Sequence, residues 1–467
     1  MSMALRKLAG FGPGTGSDDG SRAAGADGAD RAETPAAPPV DPPEPADTPL
    51  TPANQRGALL RLLIFLVAAA VVSVMAGVGK TVAVVLAIIL MIVLHEAGHF
   101  VMAKLAGIKV TEFFVGFGPR LWSIRRGGTE YGVKALPLGG YVKIIGMNNL
   151  EQVDPADEPR TYRQQPYLRR LSVAVAGSAV HFLIALALLF TVFYVTGDRG
   201  LLVTPSANQV TVGSVNSLAS GPSPAQLAGL AVGDRILAVD GQRFKTWDAQ
   251  VAYIQARPNT AVDLEVDRHG QIIHLHPTTI DLSKVQVNGV PAATQPTGFI
   301  GFAGAYPTFR YGFFSSINHA GGAFVKVTAQ NFDALKGLFS PHGIASYSNV
   351  VVDKKAADSP TAVRLVSPVG MVRLANQLVG NGLEDVLFLL ILINLFVGMF
   401  NMIPLLPLDG GHVAIATYEA IRSRRGRRYQ ADVTKLLPFV YATLLIIVFL
   451  GASSLYVDMR DLLSIGF

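Results

Sequence analysis

Apolar and polar residues along this chain fall into long blocks separated by short polar connections. Residues 1–57 have no apolar repeat; Gly, Ala, Asp and Pro dominate, with eight prolines from Pro35 to Pro52. Such a stretch buries too little apolar surface to offset its ordering entropy, so a disordered tail is expected there. No apolar core follows the first basic residues, which argues against a signal peptide. Continuous apolar runs come next, and a bilayer span needs roughly 20 such residues. Spans are expected at 58–79, 80–106, 168–196, 384–415 and 432–457, the first being an extra N-terminal helix joined to the second by a tight hairpin.

Three other segments show shorter periods. In 107–167, Glu130–Leu136 and Tyr141–Ile145 read as extended, with Gly139 and Gly140 able to turn between them into a membrane-associated β-hairpin. In 205–285, Val210–Val215, Arg235–Val239, Val262–Val266 and Ile272–His276 read as short strands and Ser223–Leu230 as a short helix. In 286–383, Phe313, Ile317, Phe324, Phe332, Leu335 and Phe339 recur at near-helical spacing, so an amphipathic helix is expected that lies on the membrane or packs against the 205–285 domain, a packing role being favoured over a binding one. His274 and His276 alternate on one strand and read as surface residues, since no third ligand lies near them in sequence.

Charge orients the spans. Only 15% of residues are charged, and the net charge is +6. Residues 104–170 hold eleven Lys/Arg against six Asp/Glu, and Arg422–Lys435 holds six against one. Basic residues accumulate on the cytoplasmic side. Five spans with a cytoplasmic N-terminus put these segments and Arg56 and Arg61 inside, and 197–383 outside. The positive charge is then a topology signal in the cytoplasmic membrane, with no nucleic-acid partner. Cysteine is absent, which excludes disulfide frameworks, thiolate nucleophiles and cysteine metal sites.

The densest chemistry is His95-Glu-Ala-Gly-His99, at the end of a run from Thr81 to Leu94 without an ionisable side chain. Positions i and i+4 share a helix face, so both histidines can reach one metal ion, with Glu96 beside it as general base for a water. Ionisable groups at membrane depth are costly and functional by default. A catalytic zinc site has three protein ligands, so a third His, Asp or Glu must come from elsewhere. Asp409 and His412, in Asn401-Met-Ile-Pro-Leu-Leu-Pro-Leu-Asp-Gly-Gly-His412, both qualify by spacing. Pro404 and Pro407 break the helix there, which is tolerated at membrane depth where backbone lines a cavity.

HEAGH in an apolar helix, the distal Asn-x-x-Pro-x-x-Pro-Leu-Asp-Gly-Gly, and the stretch Ala228–Gln242 resembling a bacterial-protease PDZ domain are similar to the site-2 protease family of intramembrane zinc metalloproteases. The layout is nearest the bacterial regulator-of-sigma-E branch, and the arginine-bearing loop resembles actinobacterial members. The resemblance implies an α-helical polytopic membrane protein with a membrane-associated β-hairpin and an inserted extracytoplasmic PDZ (α+β) domain. It implies one catalytic zinc ion on His95, His99 and Asp409, Glu96 as the catalytic base, and Asn401 holding substrate. Gly116–Pro119 and Glu130–Lys143 also resemble the family, whose β-loop pairs with an unwound substrate strand; this implies substrate binding at Gly139, Gly140 and Tyr141. The implied reaction is regulated intramembrane proteolysis of a pre-trimmed single-span membrane protein such as an anti-sigma factor, with a peptide on the PDZ domain. In the third span Ser178 and His181 stand where members typically show Pro and Asn, and His181 is expected in an interhelical hydrogen bond.

Overall fold

The computed structural model describes residues 52–75, 79–147, 151–285, 287, 295–357, 362–367, 369–371, 373–374, 382–423 and 429–463. The expected disordered tail lies outside them up to residue 51. Helix α1 (Pro52–Met75) already starts within the stretch read as tail and leaves Leu60, Ile64 and Val67 exposed. Helix α2 (Gly79–Leu105) carries HEAGH in its last three turns. Strands β1 (Val110–Arg126) and β2 (Thr129–Ile144) follow, then α3 (Tyr167–Thr191), which continues as a π-helical turn through Thr196.

A small α/β module comes next: β3 (Thr211–Val215), α4 (Pro224–Leu227), β4 (Arg235–Val239), α5 (Trp247–Gln255), β5 (Leu264–Arg268), β6 (Gln271–Leu275), β7 (Ile280–Asp281), β8 (Gly298–Phe299) and β9 (Phe302–Ala305). Helices α6 (Phe313–Leu338), α7 (Pro341–Val352) and α8 (Lys354–Ala357) lead to α9 (Leu383–Asn401), α10 (Asp409–Arg422) and α11 (Leu437–Leu463). Among the described residues, four helical stretches are long and apolar enough to cross a membrane: Val82–Leu105, Tyr167–Thr196, Leu383–Asn401 and Val433–Arg460. The span expected at 384–415 is therefore two helices, because the chain breaks between Asn401 and Asp409 around Pro404 and Pro407.

Buried apolar clusters hold the helices together, including one in which Ala103 of α2 meets Val173 of α3. Val84 and Met91 of α2 pack on Val386, Leu389, Leu390 and Ile393 of α9. Ala185, Leu189 and Phe193 pack on Ile391 and Leu395 of α9 and on Ala320, Ala323 and Val327 of α6. Of the expected apolar stripe of α6, Phe324 packs against this interior. Ser316, Ala320, Ala323 and Val327 are buried, whereas Phe313, Ile317, Phe332 and Phe339 are about half exposed. Small side chains let helix backbones approach closely, so they win the contact with α3 and α9.

The β-hairpin also differs from its expected form. Its tight turn is at Gly127–Gly128, and the segments around 130–136 and 140–144 do not pair with each other. Both flank the first half of β1, with Phe113 facing Val142 on one side and Tyr131 on the other. The layer is tight: a Cβ at Gly132 would collide with the Phe114 ring and the Trp122 carbonyl. Gly139 and Gly140 lie inside β2, and Val115 is opposite Gly140. Phe113 and Phe114 read as one more apolar pair in sequence, which hid the central strand.

In the module, the sheet β4-β5-β6 encloses Ile236, Val239, Leu264 and Val266 with Leu230 and Ile254. Ser223 caps α4 and Thr246 caps α5 through side-chain oxygens that accept backbone N–H groups. Pairing runs past the expected boundary at 285, since β3 pairs with β9 and β7 with β8.

Candidate active site

The apolar run of α2 places His95 and His99 one turn apart on the face that meets α3. That contact depends on Gly98 and Gly177. A Cβ at Gly98 would lie 2.9 Å from the Ala176 carbonyl, and one at Gly177 would overlap both imidazoles. The third group arrives through the break after α9. The chain folds back so closely that a Cβ at Gly410 would collide with the Met402 and Ile403 carbonyls. Asp409, the first residue of α10, is thereby brought to the histidines.

Asp409 Oδ2 lies 3.4 Å from His95 Nε2 and 3.2 Å from His99 Nε2, and the two Nε2 atoms are 3.2 Å apart. All three side chains are buried or nearly so. His99 Nδ1 is 2.7 Å from the Val173 carbonyl oxygen, which only accepts. The ring proton therefore sits on Nδ1, and Nε2 presents a lone pair. Asp409 Oδ2 is buried without a hydrogen-bond donor among the described residues. The lone pairs of His99 Nε2 and Asp409 Oδ2 thus face one another at 3.2 Å, and such pairs repel unless a cation lies between them. Metal–ligand arms of about 2.0–2.1 Å in a tetrahedron give ligand–ligand edges of about 3.3 Å. The observed separations match that edge, so the three residues fit a zinc ion. Among the described residues they are the one such cluster with ligand atoms within 4.8 Å of one another.

Glu96 follows His95 and opens with His95, His99 and Asp409 onto a cavity of about 410 Å³. The backbone of Val142 hydrogen-bonds the Glu96 carboxylate. A Cβ at Gly140 would lie 3.6 Å from Glu96 Cγ, so β2 passes directly beside this acid. Tyr141 stacks on Phe114 and Phe117 and donates its hydroxyl to Glu112 Oε2 at 2.5 Å. Burial, reinforced by that carboxylate, pushes its phenol pKa up. Glu130, further along β2, is partly buried, which opposes its ionisation. Hydrogen bonds from Ser123, Arg120 and Arg125 outweigh this and hold its carboxyl below the usual range.

The structure brings together His95, Glu96, His99 and Asp409, with Gly140 adjacent. His412 also lines the cavity, next to the buried Tyr162, but stands outside the three-residue cluster. Asn401 ends α9, half-buried, and does not line this cavity. His181 makes the expected interhelical bond, its Nδ1 lying 2.9 Å from Asn394 Oδ1, and its ring is 5.0 Å from that of His95. Asn394, fully buried, was missed; its one sequence signal is a lone amide within the apolar run of α9. Glu151 and Met147 of the polar loop also line the cavity, and nothing in their local sequence marks them.

A buried carboxylate–imidazole cluster at the end of an apolar helix is the centre of an intramembrane metallohydrolase. Comparison with known proteins agrees. Residues 83–448 match the model of peptidase family M50. The chain is similar to the zinc metalloprotease Rip1 of Mycobacterium tuberculosis, 34% identical over 385 residues that cover 78% of this chain and 93% of the relative. It is also similar to the zinc metalloprotease RasP of Shouchella clausii, 24% identical over 77% of this chain and 94% of that one. Among solved structures, the PDZ domain of the SdrC-like protein from Listeria monocytogenes aligns at 20% identity, covering 22% of this chain and 93% of that domain, with a TM-score of 0.17. The chain belongs to peptidase family M50, the site-2 proteases, and is a zinc metalloprotease with several membrane-spanning helices.

Proposed function

We propose that this protease cuts a peptide bond within or beside the transmembrane helix of a single-span membrane protein already trimmed outside, an anti-sigma factor being the kind of substrate intended. The observation that carries this reading is the meeting of His95, His99 and Asp409 at 3.2–3.4 Å, with Glu96 beside them, at the end of a membrane-spanning helix. His95, His99 and Asp409 hold one zinc ion. When bound, the ion supplies Lewis-acid polarisation of the scissile carbonyl and acidifies water. His99 is oriented by its Nδ1–H bond to Val173, which keeps Nε2 available as a ligand. The Glu96 carboxylate accepts a proton from the attacking water and returns it to the leaving amine nitrogen.

A helical peptide bond is shielded and its carbonyl is already hydrogen-bonded, so cleavage needs unwinding. The segment Gly139–Val142 runs beside Glu96 and offers backbone partners to an extended substrate strand. Gly139, Gly140 and Tyr141 are assigned to that role, and Asn401 to holding substrate. The N-terminus is cytoplasmic, α1 makes a fifth span, and the 206–305 module is an extracytoplasmic PDZ domain. The exposed apolar side chains of α1 and the basic segments flanking the spans support this topology. The module then excludes intact ectodomains or recognises a new chain end.

The test is reconstitution with a model transmembrane substrate, comparing wild type with Glu96→Gln. The variant should retain zinc and lose cleavage by at least about a hundredfold. Equal cleavage by both would remove Glu96 as the base.

A further inference from the structure

The two imidazoles of the cluster are held differently. His99 is fixed by its Nδ1–H bond to the Val173 carbonyl. His95 has no such bond: its Nδ1 is buried without a hydrogen-bond partner among the described residues, while its Nε2 faces Asp409 at 3.4 Å. The Gly177 backbone lies beside the ring, but its carbonyl is committed within α3 to the N–H of His181, four residues on. A metal-binding histidine almost always donates its second ring N–H to an acceptor, because that bond fixes tautomer and orientation. His95 therefore lacks a partner that its chemistry calls for.

His181 carries an acceptor with the opposite lack. Its ring is buried, its centroid 5.0 Å from that of His95. Asn394 of α9 sets its tautomer. The Asn394 amide nitrogen donates to the Leu390 carbonyl oxygen at 2.8 Å, which assigns the other end of the amide as oxygen. That oxygen only accepts and lies 2.9 Å from His181 Nδ1, so the proton of the neutral ring is on Nδ1. His181 Nε2 is then a lone pair, and no donor among the described residues engages it. The same amide nitrogen lies 3.3 Å from the sulfur of Met91, one helical turn before His95 on α2. A Cβ at Gly398 would come within 3.2 Å of His181 Cβ, so α9 presses on α3 at this ring. Asn394 thus ties α2, α3 and α9 together beside the cluster.

We propose that His181, held by Asn394, is a positioning residue for His95, its Nε2 accepting the His95 Nδ1–H. The contact closes by a small turn of the His95 ring, since two imidazoles joined through an N–H···N bond have their centroids at about this separation. The bonds then run one way. Asn394 donates to Leu390, His181 donates to Asn394, and His95 donates to His181, which leaves His95 Nε2 as a lone pair towards Asp409 and His99. The inference rests on the reading of His95 as a metal ligand. His181 itself stays outside the ligand set, because the cluster whose ligand atoms lie within 4.8 Å of one another is His95, His99 and Asp409. It acts on the ion only through His95.

Zinc affinity of the full-length chain in detergent, measured by competition with a chelator beside thermal unfolding of the zinc-free chain, tests this. His181→Phe keeps a ring and removes the acceptor, and its zinc affinity should fall about 10–100-fold. His181→Gln keeps an acceptor at the reach of Nε2 and should recover most of that loss. Asn394→Leu frees His181 from its fixed tautomer without touching His95 and should also weaken zinc binding, which keeps the test open if His181→Phe does not fold. A His181→Phe or Asn394→Leu chain with wild-type affinity overturns the proposal, as does a His181→Gln chain as weak as His181→Phe. His95→Ala reports on the ligand reading separately. Undiminished zinc there overturns that reading and the positioning role with it, whereas loss there beside an unaffected His181→Phe overturns the positioning role alone.

Discussion

Gly177→Ala adds one methyl group to α3 at the point where the imidazoles of His95 and His99, the proposed zinc ligands, rest. The new Cβ would overlap His95 Cε1 and His99 Nε2 and lie 2.6 Å from His95 Nδ1. Carbon atoms in ordinary contact sit about 3.5–4.0 Å apart, so the rings must retreat by about 1 Å. Metal-ligand constellations tolerate roughly 0.5 Å of misplacement. Two opposing effects act on the fold. Ala is favoured over Gly within a helix by about 1 kcal/mol, whereas forcing a methyl into a packed interior costs about 1–3 kcal/mol. Net stability should therefore change by no more than about 2 kcal/mol, while the ligand geometry is lost. Zinc affinity should fall at least about tenfold, by analogy with removing a residue that orients ligands, and proteolysis should fall with it. The assay is zinc per chain across graded free zinc, beside thermal unfolding and substrate cleavage in detergent. A Gly177→Ala chain that keeps zinc and activity unchanged would refute the close seating of His95 and His99 on α3.

Asp409→Ala should lose bound zinc, whereas His412→Ala should keep it and lose only the packing against Tyr162; metal analysis of the two variants separates ligand from neighbour. Arg170 and Glu419 form a buried ion pair at 2.6 Å between α3 and α10, so Glu419→Gln should cost about 3 kcal/mol by leaving a buried charge unpaired, and replacing both by apolar residues should recover much of that in thermal unfolding. Hydrogen bonds from Arg163 and Gln164 hold the Glu158 carboxyl down at about 2, below its ordinary 4.5. A depressed acid stabilises the fold fully above its unfolded value and loses that contribution as it protonates. Amide protection around Thr161, taken relative to the intrinsic exchange rate at each pH, should therefore fall as pH drops from about 4.5 towards 2, and Glu158→Gln should remove that dependence.

Much of the active site was legible in the sequence because its signals are local. The i, i+4 spacing of His95 and His99 and the position of Glu96 follow from one helix, and the apolar run before them marks the membrane. Asp409 was legible only as a candidate beside His412. Spacing along the chain does not say which side chain a broken segment turns inward; the close return of Gly410 onto Met402 and Ile403 does. Long-range pairing was likewise hidden. The strands at 130–136 and 140–144 were visible as extended, but their separation by β1 depends on glycines that permit layering. The buried side of α6 was not legible for a related reason: Phe324 of the apolar stripe packs inward, but the fully buried positions are small residues that allow close helix approach.

The membrane class, the approximate positions of four spans, and the pairing of His95 with His99 beside Glu96 all follow from the chain read residue by residue, since each rests on composition or on a single helical turn. The arrival of Asp409 at the two histidines and the path of β2 beside Glu96 exist only in the folded molecule. Each of these joins residues from separate elements, and their distances are set by how backbones pack, which no local pattern encodes.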